Sequence, residues 1–266
     1  MIRLCVSTSS SRKRRSSNFP AAKPFERPRA LGPRGFSFPD LPMTPDELQT
    51  RVLFRDSNLI LLDKPAGLAV HGGPQTPVHL EAMLGALCFN LSQPPKLAHR
   101  LDRDTAGCLI LARHDKALSR LGKLFTAGKV EKTYWAVVEG GPAADEGRID
   151  LPLKKVSSAK DGWRMIADPA GQESVTRWRV LGRGQGLLCW LECRPETGRT
   201  HQIRVHCASG LGSAILGDPV YGTAGPMLHL QSHAVSIPYW ADRPPITVEA
   251  PPPSHMLDAL TACGWS

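Results

Sequence analysis

Between His99 and Thr105 the chain reads His-Arg-Leu-Asp-Arg-Asp-Thr, and an apolar run from Gly107 to Ala112 follows at once. A polar loop feeding a buried strand is a good place to fix a reactive side chain. Asp102 is the candidate reactive group. Asp104 is the candidate loop support, accepting hydrogen bonds from the turn. Three chemistries compete for this pair. An Asp-x-Asp could hold a divalent metal against a sugar nucleotide, but that spacing is common by chance. Two carboxylates this close on one loop rarely straddle a glycosidic bond at the roughly 5–9 Å that hydrolysis needs. One nucleophile beside one structural acid suits the loop better. Taken alone, the residue types still favour a solvated turn beside arginines.

A second polar cluster runs from Gly198 to His206, Gly-Arg-Thr-His-Gln-Ile-Arg-Val-His. Arg199, His201 and Arg204 are its candidates. So many polar groups around Ile203 and Val205 are costly for a plain amphipathic helix. A buried arginine here needs a carboxylate partner; a solvated basic face is the competing reading. Cys189, Cys193, His201 and His206 match no usual zinc spacing, so no metal site is expected. The odd count of seven cysteines, none in a C-x-x-C pair, reads as buried thiols in a reducing compartment.

The elements that must position these groups follow from periodicity. Residues 107–112 read as a strand buried on both faces. Thr44-Pro45-Asp46-Glu47 starts a short helix. Residues 51–56 and 59–64 pair as a hairpin. Residues 79–91 carry the clearest 3.6-residue stripe and predict a helix. A second helix covers 115–126, with Gly128 at its stop. In 131–139, alternation puts Tyr134, Ala136 and Val138 on one face and Thr133, Trp135 and Val137 on the other. Strands are expected near 147–153, 162–167, 173–181, 187–194, 227–237 and 246–249. Thr200 is the expected N-cap of a helix over 201–209, and a last helix covers 254–262. Many strands with few helices and no regular βαβ alternation predict an α+β fold with a mostly antiparallel sheet.

The net charge of +9 needs locating. Residues 1–39 hold nine basic residues and one acid, or +8, which leaves the rest of the chain at +1. Any basic surface on the body must therefore come from segregation of charge. Residues 1–43 read as a disordered tail rich in Ser, Arg and Pro. It is a solvated tail, a basic RNA-binding arm or an organelle transit peptide. The body, 44–266, reads as one domain. No apolar run reaches the roughly 18 residues of a membrane span, so no membrane partner is expected.

Five segments in order carry a family resemblance. HRLDRDTAGCLILAR at 99–113 resembles the signature of the RluA-type RNA pseudouridine synthases. LLDKPAGLAVHGG at 61–73, KTYWAVVEG at 132–140, ETGRTHQIRVHCASG at 196–210 and ILGDPVYG at 215–222 are similar to its other motifs. The resemblance implies the pseudouridine synthase fold: a mixed, mostly antiparallel sheet with flanking helices and an RNA-binding cleft. It implies an isomerase acting on structured rRNA or tRNA, with no cofactor. By motif, Asp102 matches the catalytic aspartate, Tyr134 the tyrosine that stacks on the target base, and Arg204 the arginine paired with that aspartate. Arg100, with Arg103, Arg199 and His201, is expected on the RNA side. A non-catalytic RNA-binding protein of the same fold is the alternative. Ala106 and Cys108 depart from the usual Ser and Leu, and Ser213-Ala214 from a pair ending in Pro. An S4-type domain has no evident room. A cytoplasmic monomer is expected, or an organelle protein if 1–39 is a transit peptide.

Overall fold

In the computed structural model, residues 43–73, 76–158, 162–184 and 187–266 are described. The expected tail, 1–43, falls outside them except for Met43. All described residues belong to one unit within Gly32–Ser266. None of their helices is long and apolar enough to cross a membrane.

The chain begins with α1 (Pro45–Thr50), closed by a reciprocal cap. Thr44 Oγ1 accepts from Glu47 N–H, and the Glu47 carboxylate accepts from Thr44 N–H. β1 (Val52–Arg55) and β2 (Leu59–Lys64) form the hairpin expected there. After a short 3-10 helix (Leu80–Leu87) come β3 (Lys96–Leu97), β4 (Ala106–Ala112), α2 (Asp115–Thr126) and β5 (Glu131–Glu139). Then follow β6 (Glu146–Asp150), β7 (Leu153–Ser158), β8 (Gly162–Ala167), β9 (Val175–Arg183) and β10 (Leu188–Pro195). α3 (Gln202–Val205) runs into a π-turn (His206–Gly210). β11 (Leu230–Ile237), β12 (Ile246–Glu249) and α4 (Ser254–Ala262) complete the chain.

Ten strands form one sheet in the order β1-β2-β4-β11-β5-β10-β9-β6, with β3 on β4 and β12 on β11. β4 and β11 are parallel and the other named pairs antiparallel. β7 and β8 make a separate hairpin. This is the α+β, mostly antiparallel architecture that the pattern predicts.

β4 is the strand on which the rest is assembled. Every residue in it is buried. Leu109 and Leu111 pack with Leu80, Met83 and Leu87 on one face. Cys108, Ile110 and Ala112 pack with Ala117 and Leu121 of α2 on the other. Its parallel contact with β11 is short, Ala106 and Gly107 against Gln231 and Ser232. Gly107 makes that approach possible: its φ is +99°, and a Cβ there would collide with the Ser232 carbonyl oxygen.

Two expected helices differ. Residues 79–91 form a 3-10 helix limited to 80–87. Its first donors, Leu80 and Glu81 N–H, bond the carbonyls of Ala69 and Val70 rather than start an α-helical ladder. Gly85 lies inside it and Phe89 after it has φ +51°. The apolar stripe is still buried, since Leu80, Met83, Leu84 and Leu87 serve a 3-10 turn as well. The helix expected over 201–209 is a single α-turn followed by the π-turn, and Thr200 does not cap it. The capping residue is His201, in the left-handed region at φ +53°. Gln202 does the stabilising, accepting from Arg199 N–H and Thr197 Oγ1 and donating to Val175 O and Thr176 Oγ1.

Two side chains tie the 99–105 loop to the sheet. Lys64, at the end of β2, is fully buried. Its Nζ donates to Pro65 O (2.8 Å), Leu68 O (2.8 Å) and Arg103 O (2.9 Å). Burial holds its pKa down to about 7 against the pull of Asp104, Asp102 and Asp63. His99 Nε2 accepts from Ile110 N–H at 2.9 Å, and its ring lies on Phe125. Burial, helped by Lys132, lowers its pKa to about 4, so the neutral ring is the one that folds.

Lys64→Met leaves three carbonyls without their donor, at a cost on the order of 3 kcal/mol. Urea titration should show the loss, and limited proteolysis should open the chain between His99 and Thr105. An unchanged urea midpoint with an intact loop contradicts the clamp. For His99 the folded pKa lies below the unfolded value, so its contribution is full above about pH 6.5 and lost as pH falls through about 4. His99→Leu should therefore melt lower than the native protein at pH 7, with the gap narrowing towards pH 4. A gap that stays constant over this range contradicts that assignment.

Candidate active-site cleft

Asp102, Tyr134 and Arg204 come from three separate parts of the chain and line one cleft of about 1180 Å³. Asp102 opens a turn, its carbonyl accepting from Thr105 N–H. Its side chain is mostly covered, at 19% exposure. Lys64 fixes the next peptide from beneath. Thr105, at the far end of the turn, is buried. Asp104 does not reach the cleft wall. It binds the Arg103 guanidinium through both oxygens, at 2.9 and 3.1 Å. The two acids thus have separate environments, and the hydrogen bonds to Asp104 come from the Arg103 side chain, not from the backbone of the turn.

Tyr134 sits on β5, in register with Cys193 of β10 and Ser232 of β11. Its ring packs where two cores meet, between the Leu101 and Leu109 cluster and the Ile203 and Leu230 cluster. Burial raises its phenol above the ordinary range; the Ser232 hydroxyl opposes this and the Asp102 carboxylate adds to it. Tyr134 is therefore a neutral phenol at physiological pH. It offers an aromatic edge or face and one O–H.

Arg204 corrects an expectation. It is buried as foreseen, but its hydrogen-bonded carboxylate is Asp218, not Asp102. Nε donates to Asp218 Oδ2 and Nη2 to Oδ1, both at 2.7 Å. Asp218 is fully buried and also accepts from Val220 and Tyr221 N–H. Burial alone would push Arg204 down and Asp218 up; their bidentate pairing reverses both shifts. Arg204, 4% exposed where it borders the cleft, has its fork filled by the fully buried Asp218. Arg204 acts on Asp102 through its field, without an ion pair between them.

His201 makes the nearer approach. Its Nε2 is 4.0 Å from Asp102 Oδ2, and its Nδ1 is 2.8 Å from Tyr221 Oη. Tyr221 Oη also accepts from Met165 N–H on β8. Giving the Tyr221 proton to Nδ1 satisfies both groups and turns Nε2–H towards Asp102. Burial lowers the His201 pKa, with Asp102 opposing. The Tyr221 ring lies 5.2 Å from the Arg204 guanidinium carbon. A line of contacts therefore runs from Asp102 through His201 and Tyr221 to the Arg204–Asp218 pair.

Arg100 and Arg199 line the same cleft; Arg103 does not. Arg199 is anchored by its Nε on Glu173 O. Arg100 is exposed and makes no ion pair among the described residues. Lys64, Asp218 and Tyr221 were not singled out from sequence. Each stands in a quoted motif, and the need of a buried Arg204 for a carboxylate was the signal for Asp218. Among the described residues no group of three or more His, Cys, Asp or Glu side chains could hold a metal ion. His206 is committed to Thr176 Oγ1 and Leu151 O.

The departures from the motif are absorbed locally. Cys108 directs its thiol at His233 O and Val248 O. Ser213 Oγ accepts from Gly141 N–H, and Ala214 O from Glu139 N–H, so this loop is pinned to the end of β5.

Comparison with known proteins agrees with this geometry. The model of the RNA pseudouridylate synthase family matches residues 58–209, more than half of the chain. An uncharacterised RNA pseudouridine synthase of Zymomonas mobilis is 48% identical over 217 residues, covering 79% of this chain and 97% of that one. A ribosomal large subunit pseudouridine synthase D of Xanthomonas campestris is 40% identical over 185 residues, 68% of this chain and 54% of its own. The solved structure of human RNA pseudouridylate synthase domain containing 4 superposes with a TM-score of 0.69 at 26% identity, covering 82% of this chain and 95% of that one. The chain belongs to the RNA pseudouridylate synthase family, whose members are isomerases acting on RNA.

Proposed function

We propose that this chain converts specific uridines of a structured rRNA or tRNA to pseudouridine, with Asp102 as the reacting carboxylate. The observation that carries the reading is the convergence of Asp102, Tyr134 and Arg204 on one cleft rimmed by Arg100 and Arg199. The names of relatives, among them a ribosomal large subunit synthase, support rRNA as the substrate class.

The reaction is balanced within the nucleotide. The N1–C1′ bond breaks, the base turns, C5–C1′ forms, the C5 proton leaves to solvent and N1 takes up a proton in its place. No redox partner or phosphate donor takes part. The target uridine must first leave its stack, at a cost of a few kcal/mol. Tyr134 offers the extruded base an aromatic surface, and its protonated phenol carries no charge that would repel Asp102. Arg100 and Arg199 attract the phosphates on either side. Asp102 reacts as the carboxylate, and the Nε2–H of His201 faces it at 4.0 Å.

RNA labelled with tritium at uridine C5 releases label when C5–C1′ forms. The native protein should release it from RNA of cells lacking the gene. Asp102→Asn should slow release by at least about 10³-fold while retaining RNA binding, and Tyr134→Leu should slow it by about 10²-fold. Full activity in Asp102→Asn removes the aspartate from the mechanism. Binding without release by the native protein makes the chain a non-catalytic RNA-binding member of the fold.

A further inference from the structure

The exposed arginines of the body differ in how they are partnered. On the β6–β9–β10 face each is neutralised. Arg179 and Arg194 bind Glu192, Arg177 binds Glu196, Arg148 binds Asp150, and Arg183 binds Asp145. The outer surface of α2 is different. Lys116, Arg120 and Lys123 recur on one exposed side of the helix, and Lys129 follows its end. None of these forms an ion pair among the described residues, nor does Arg243 on the neighbouring turn. Of the acids nearby, Asp115 is paired with Lys96 and Asp56 caps the 56–59 turn, while Asp242 beside Arg243 and Glu131 after Lys129 are exposed.

These cations are also organised. The Arg120 guanidinium carbon lies 5.0 Å from the Tyr239 ring centre and 5.3 Å from that of Trp240. The Arg243 guanidinium carbon lies 5.4 Å from the Trp240 ring centre. Stacking on an aromatic ring fixes a guanidinium plane while leaving its N–H groups for an external acceptor. The strip is continuous with the cleft, because Phe125, Thr126, Gly128 and Val130 form part of its wall. From that rim, α2 carries the charge about 15 Å outward at 1.5 Å per residue.

We propose that the outer face of α2, with Trp240 and Arg243, is a second binding site for the RNA sugar–phosphate backbone. Resting on the reading above, it holds a helical segment flanking the uridine in the cleft. The chemistry recognised is a row of phosphates. With a net charge of only +1, the body reaches this by segregation: the arginines of the β6–β9–β10 face are paired with carboxylates, while the cations of α2, Lys129 and Arg243 have no carboxylate partner among the described residues.

The probes are a fluorescent hairpin RNA with a twelve-base-pair stem and a uridine loop, and a uridine pentanucleotide that fits the cleft alone. The triple variant Lys116→Gln, Arg120→Gln, Lys123→Gln should bind the hairpin about tenfold more weakly at 0.1 M salt. The slope of log K against log salt should fall by about 2, since each lost phosphate contact contributes about 0.7–0.9. Pentanucleotide binding should not change. Arg120→Lys, which keeps the charge and loses the planar stack, should give a smaller loss with the slope retained. Unchanged hairpin affinity and slope overturn the proposal, as does an equal loss for both probes. Absence of tritium release by the native protein would sink the isomerase reading and leave this comparison standing. An insensitive slope would do the reverse.

Discussion

The interaction on which the site depends is the buried pair of Arg204 and Asp218. Both ions are out of water, and isolated charges in that position are costly. The bidentate fork and the two N–H bonds to Asp218 offset the cost. Removing either partner leaves an uncompensated charge and costs about 3–5 kcal/mol. The pair joins α3 to the 217–222 turn and so sets the position of Tyr221 beneath the guanidinium. Tyr221 in turn holds His201, and His201 faces Asp102. The loop that carries Asp102 is held on its other side by Lys64, a buried side chain clamped on three carbonyls. Arg204 and His201 border the cleft, while Lys64, Asp218 and Tyr221 support it from outside its lining.

This division of labour explains why two neighbouring aspartates have different fates. Asp104 is satisfied locally by Arg103. Asp102 is left with a histidine at 4.0 Å and a cationic field, and without a fixed salt bridge. A carboxylate held by two strong hydrogen bonds would be a poor nucleophile. One with an open side to the cleft and no fixed ion pair is available for reaction. Tyr134 complements it as a neutral aromatic surface where two cores meet.

Much of this was legible in the sequence where one residue pattern admits one burial. The continuous apolar run of β4, the alternation of β5 and the amphipathic stripe of α2 each specify their element. Those elements follow the loop of Asp102, carry Tyr134 or wall the cleft. The pattern failed at residues 79–91, where a stripe of Leu80, Met83 and Leu87 is compatible with two helical periods and the choice is made by hydrogen bonds to Ala69 and Val70. It failed again at His201, whose left-handed backbone is imposed by the Gln202 network and by Tyr221. The partner of Arg204 was also out of reach. Sequence says that a buried guanidinium needs a carboxylate, but only packing says which one is dry enough to be chosen.

The account rests on a cleft already arranged for an extruded uridine, and a crystal structure of the Asp102→Asn variant bound to an RNA that it binds tests this most directly. The account predicts one uridine out of the stack, its base against Tyr134 and its sugar beside residue 102, with Arg204 still bonded to Asp218 through both nitrogens. A target base lying elsewhere contradicts it. So does an Arg204 that has left Asp218 for the nucleotide or for residue 102.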